Sequence, residues 1–151
     1  MKRSNLKLIC ATLAIGFIAY GTGYAAQGKV PMRDIRQACA KYLGAYASSK
    51  DIKKMEKKLR DRVETKVEDQ GIDEDTAMRH IMLDWAAGNA KKLENKEPKV
   101  IKQACFYFIR FYDKGYQIPG QMRSRLTPEN ARKLIDWLET EAAKNQQLAA
   151  K

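Results

Sequence analysis

Histidine appears once in this 151-residue chain, and its three cysteines include no pair at metal-ligand spacing. That scarcity leaves little room for a metal centre or for a catalytic set organised around imidazole. No serine stands in a nucleophile-elbow context, and Asp73-Glu74-Asp75 lacks the spacing and glycine of a calcium loop. No sustained alternation of apolar and polar side chains appears, which removes the usual signature of β-strands. The longest apolar run, Leu8 to Tyr20, is about 13 residues against the roughly 20 that cross a bilayer. No metal, cofactor or enzymatic activity is therefore expected. What the chain has in quantity is charge, with 29 lysines and arginines against 18 acids and a formal net charge of +11. Its 44% hydrophobic content is ordinary for a globular protein and excludes collagen-like, wholly disordered and multi-span membrane classes. The length fits one domain with a modest core.

The amino terminus reads as an address. Lys2, Arg3 and Lys7 flank the start of the apolar run, and Gly21 to Ala26 supplies small residues, the layout of a secretory signal over residues 1–25. Cleavage is expected after Ala25, because Gly23 and Ala25 then hold the positions that require small side chains. The alternative is an uncleaved anchor, for which the run is short. Cys10 falls inside the signal. Cleavage removes three of the 29 bases and no acid, leaving 26 against 18 and a net charge of +8. Residues 26–151 are expected to form a single periplasmic helical domain, with membrane contact confined to the signal.

Helix punctuation recurs along this stretch, and the predicted fold class is all-α, with about five helices. Pro31 suits a first turn, and Met32, Ile35, Cys39, Tyr42, Leu43 and Tyr46 follow at three- and four-residue steps. Ser48, with Asp51 three residues on, predicts the start of a second helix that Gly71 ends. Its apolar stripe is narrow (Ile52, Met55, Leu59, Val63, Val67). The other faces mix Lys50, Lys53, Lys54, Lys57, Lys58, Arg60, Arg62 and Lys66 with Asp51, Glu56, Asp61, Glu64 and Glu68. Asp61 near Lys57 and Lys58, and Glu64 near Arg60, predict ion pairs along the helix. A third helix opens at Asp73-Glu74-Asp75 and closes at Lys91 and Lys92, as the helix dipole favours. A polar connection, Asn89 to Glu97, leads to a fourth helix over Pro98–Asp113. After a turn-rich loop around Ile118-Pro119-Gly120, Thr127-Pro128-Glu129 gives a cap, a first-turn proline and an early acid. Beyond Asn145 the tail is polar, Ala-rich and expected to fray.

Cys39 falls on the inward stripe of the first helix and Cys105 on that of the fourth. An exported domain with two cysteines usually oxidises them, so one interhelical disulfide is expected, closing a loop of about 65 residues. In the chain-entropy account such a bridge contributes roughly 4 kcal/mol. The alternative is two unpaired buried thiols. No redox role is expected, since neither belongs to a Cys-x-x-Cys pair.

Three groups are candidates for function. His80 and Asp84 lie four apart on one helix face and fit an acid–base pair or a plain boundary ion pair. The basic second helix suits either a solvated face or anionic phosphates, lipid headgroups or nucleic acid. Phe106, Tyr107, Phe108, Phe111, Tyr112 and Tyr116 crowd the fourth helix and its exit. Either that helix is central and buried on all sides, or Phe106, Tyr107 and Phe111 form an exposed patch. With Arg110, and with Arg123 and Arg125 beyond the loop, such a patch is a candidate for binding a partner protein, since aromatics and arginine dominate interface hot spots.

Cys39-Ala40-Lys41-Tyr42-Leu43 and Pro98-Lys99-Val100-Ile101-Lys102-Gln103-Ala104-Cys105 resemble the two cysteine segments of Hde-type periplasmic acid-stress chaperones. The chain differs from them in a longer stretch between the cysteines, its basic charge and its extension past Cys105. The resemblance implies a disulfide-stapled helical protein, often dimeric, that loosens in acid and holds unfolding clients on exposed apolar surface. The residues by themselves lead to an exported, non-enzymatic protein that binds another envelope protein. An accessory or immunity component of a secretion or conjugation system fits that description. Export speaks against nucleic acid as the partner.

Overall fold

Three of the helices begin where a side chain, of Ser48, Asp73 or Thr127, accepts a backbone N–H that the helix itself leaves open. The computed structural model describes residues 31–116 and 127–150, with side chains as far as Asn145. The expected signal segment with Cys10, and the loop around Ile118-Pro119-Gly120, lie outside them. The described residues form six helices and no strand: α1 Met32–Tyr46, α2 Ser49–Gln70, α3 Glu74–Gly88, α4 Ala90–Glu94, α5 Pro98–Asp113 and α6 Pro128–Ala150. The class is all-α, as expected.

At α2 the Ser48 hydroxyl accepts the Asp51 N–H at 3.1 Å, while the Asp51 carboxylate accepts the Ser48 N–H at 3.0 Å. This reciprocal box satisfies two otherwise open donors. Asp73 caps α3 by accepting the Thr76 N–H at 2.7 Å, and Thr127 caps α6 by accepting the Asn130 N–H at 3.1 Å. Gly71 ends α2 at φ 64°, a left-handed conformation that costs glycine nothing.

One stretch differs from the sequence expectation, since a short helix forms within the connection from Asn89 to Glu97. The third helix ends at Asn89, whose side-chain amide and backbone N–H both donate to the Trp85 carbonyl, at 2.8 and 3.0 Å. The chain then restarts as the short α4, which buries Ala90 and Leu93. At the other end α6 is helical as far as Ala150.

α1 is packed against both α6 and α5. Its contacts with α6 advance in step along both helices: Asp34 with Arg132 at 3.7 Å, Lys41 with Glu139 at 3.5 Å, and the Ala45 carbonyl with the Asn145 amide. The two helices are therefore parallel, and everything from α2 to α5 forms their connection. Tyr42 stacks on Tyr46 at 4.4 Å and on Trp137 at 6.0 Å across the same seam. Alanines 38, 104 and 131, each fully buried, let the helices approach closely. Against α5 the order reverses: Arg36 meets Asp113 with two bonds of 2.6 and 2.9 Å, and Cys39 meets Cys105.

α5 is the central helix. Ala104, Cys105, Phe106, Tyr107 and Phe108 are buried in succession, which no helix with a solvent face at that level can do. The two cysteines face each other as the inward stripes predict, but as thiols. They lie 3.6 Å apart, against the ~2.05 Å of a covalent bond, so the expected disulfide is not formed here. Burial, with Cys39 alongside, pushes the Cys105 thiol well above its ordinary range.

Candidate functional site

The position of α5 decides which sequence candidates reach the surface. Phe106, Tyr107 and Phe111 are only 2–3% exposed, so the exposed aromatic patch gives way to the central-helix arrangement. Their rings serve the core. Tyr107 meets Trp85 edge-on at 5.2 Å, and Phe111 meets Tyr116 in the same manner at 5.3 Å. Tyr116 in turn donates its hydroxyl to Asp75 at 2.6 Å and lies under the Arg79 guanidinium, tying the exit of α5 to α3. Burial, then the Asp75 carboxylate, pushes the Tyr116 hydroxyl up to about 12.

Arg110 is the member of the predicted set that emerges. Its guanidinium lies 5.4 Å from the centroid of the Phe106 ring and pairs with Glu56 of α2. Ring and carboxylate together hold it in one place. On either side of this pair lies a groove of about 300 Å³, and both grooves share Glu56, Arg110 and Lys114. Leu43, Ile52 and Ile109 give one an apolar floor, with the Arg36–Asp113 pair at its end. Leu59, Val63 and Met78 do the same for the other, with Arg60 and Glu74 alongside. The Arg36 guanidinium beside Asp113 holds that carboxyl below the usual carboxylate range. Arg123 and Arg125 lie outside the described residues, in the segment that follows Tyr116.

α2 contributes more than one wall. Its acids Asp51 and Glu56 pair with Lys102 and Arg110 of α5, not with bases of their own helix. Lys50, Lys53, Lys54, Lys57 and Lys58 are exposed, and none of them forms an ion pair among the described residues. The pairs expected between Asp61 and Lys57 or Lys58, and between Glu64 and Arg60, are likewise not formed there. Sequence reading missed this separation because the partners that remove the two acids come from another helix.

The acid–base candidate does not assemble. His80 and Asp84 are both exposed and share no hydrogen bond or ion pair among the described residues. Asp84 borders a wider groove of about 620 Å³ with Trp85, Arg62 and Lys66, and His80 does not line it. Among the described residues no cluster of three potential metal ligands occurs, and no helix is long and apolar enough to cross a membrane. The arrangement around Arg110 offers apolar floors, a fixed guanidinium and mobile lysine charges, which is recognition chemistry.

No protein-family model matches the chain, and no curated protein or solved structure is significantly similar to it.

Proposed function

We propose that this is an exported, non-enzymatic helical protein that binds another protein of the cell envelope through the surface where α2 meets the end of α5. One observation carries the reading: a half-exposed arginine fixed between a ring and a carboxylate, with an apolar groove on each side. Interface anchors have that form, a preorganised arginine beside apolar area that a partner desolvates. An immunity or accessory protein of a secretion or conjugation system would use such a surface.

In an oxidising compartment the facing Cys39 and Cys105 thiols would give up two hydrogens to the resident disulfide pool and join α1 to α5. Their burial on opposed helices at 3.6 Å supports that pairing. Recovery of the chain from a periplasmic fraction, beginning at Ala26 and carrying no free thiol, is the expected result. A full-length cytosolic chain with free thiols contradicts export.

A photo-reactive residue at Lys114 tests the binding surface. It should cross-link one defined envelope protein, whereas the same residue at Lys133 of α6 should not. Equal labelling from both positions, or none from Lys114, overturns the assignment.

The second reading is an acid-stress holdase of the Hde type, supported by carboxyls whose acidity depends on the fold. Asp113 is lowered chiefly by Arg36, Asp51 by Ser48, and Asp73 by Thr76. A carboxyl lowered on folding stabilises the native state above its unfolded value near pH 4, and that stabilisation is lost as pH falls through the folded value. Loosening is thus expected below about pH 4. Suppression of client aggregation near pH 3 but not pH 7 supports this reading, and no suppression at either pH removes it.

A further inference from the structure

Seen along the sequence, the bases and acids of α2 alternate and nearly cancel; seen on the folded helix, they separate. At 100° per residue, Lys50, Lys53, Lys54, Lys57 and Lys58 fall on one face, opposite the buried Met55 and Leu59. The two acids in the same stretch, Asp51 and Glu56, are turned aside and neutralised by Lys102 and Arg110. The remaining acids of α2, Asp61, Glu64, Glu68 and Asp69, all come later, toward its C-terminal end. The first turns of α2 therefore carry an uninterrupted band of lysine about 12 Å long.

This polarity opposes the helix dipole, which favours acids at the N-terminal end and bases at the C-terminal end. The helix dipole therefore does not account for the arrangement. The band lies on the outward face of a single helix, and no apolar or aromatic residue falls between its lysines on that face. A peptide or protein partner would seek the grooves beside Arg110. Lysine supplies freely moving point charges, without the planar fork by which arginine selects individual carboxylates or phosphates. Several such charges on one outward helix face suit a broad, laterally uniform negative surface.

We propose that the lysine band Lys50–Lys58 docks this protein onto an anionic lipid surface, with the acidic end of α2 tilted away from it. Membrane contact would then extend beyond the signal segment. The proposal is independent of the protein partner assigned to the Arg110 grooves, and either can fail without the other.

The test is sedimentation of the full chain with vesicles of about one-third phosphatidylglycerol in phosphatidylcholine, and with phosphatidylcholine alone. The amino terminus carries Lys2, Arg3 and Lys7 and favours anionic vesicles on its own account, so the readout is the share of the difference that the α2 lysines supply. At about 50 mM salt the anionic vesicles should bind at least tenfold more tightly, and the margin should shrink at about 300 mM. Changing the five lysines to glutamine should remove most of the margin. Changing Lys91, Lys92, Lys99, Lys133 and Lys144 to glutamine, an equal loss of charge, should leave most of it. On wild-type protein, anionic vesicles should shield Lys50–Lys58 from acetylation while Lys133 still reacts, a readout that needs no variant. Equal binding to both vesicles, equal loss in both variants, or unshielded lysines overturns the proposal. Tighter binding to polyglutamate or DNA than to vesicles reassigns the band to an acidic polypeptide or to nucleic acid. A salt-sensitive dimer that only the five-lysine variant loses reassigns it to a second copy.

Discussion

α1 and α2 are neighbours in sequence and opposites in design. α1 buries five of its 15 residues and is gripped on two sides, by α5 and α6. α2 is longer, at 22 residues, yet buries only Met55, Leu59 and Val63. Because burial of apolar area is the main source of stability, the fold rests on α1, α5 and α6. The solvent face of α2 is left free to carry charge that the fold does not use. Mutations that keep this division intact should leave it measurable, and those that break it should do so unequally.

Phe108→Ala removes a ring from the centre of α5, where exposure is 1%, and should cost about 3–5 kcal/mol in denaturant unfolding. Oxidising Cys39 and Cys105 to a disulfide should raise stability by about 2–4 kcal/mol, lost again in Cys39→Ser. Indistinguishable melting of reduced and oxidised protein would contradict the staple. Ser48→Ala removes the reciprocal cap of α2 and should cost about 1 kcal/mol by the same assay. Asp113→Asn should reduce stability at pH 7 and make it less dependent on pH below about 4, as the sign of its shift requires. The five lysine-to-glutamine changes on α2 should alter stability by less than about 0.5 kcal/mol, since these side chains are exposed and oppose the dipole. A large loss there would show that α2 is more than a carrier of charge.

The same contrast explains what the sequence discloses. Local chemistry was legible: the Ser48–Asp51 box, the Gly71 stop, the Thr127-Pro128 start and the inward placement of Cys39 and Cys105 follow from neighbours within a few residues. The short α4 inside the connection after Asn89 was not, because Leu93 draws the chain into a core assembled by distant helices. The parallel pairing of α1 with α6 also escaped, being a matter of topology and not of periodicity. Of the candidate residues, Arg110 reaches the surface while Phe106, Tyr107 and Phe111 take the buried alternative that the sequence left open. Phe106, Tyr107 and Phe111 read the same way whether a helix is central or exposed, and only the packing of α5 decides. The lysine band was concealed by acids that other helices neutralise.

Native-state hydrogen exchange with and without anionic vesicles tests this division of labour most directly. In free protein the amides of α1 and α5 should exchange slowest, near the global limit, with those of α2 opening earlier. Vesicles should slow Lys50–Arg60 and leave α6 unchanged. Uniform exchange through α1, α2 and α5, or vesicle protection that falls on α6, would contradict the account.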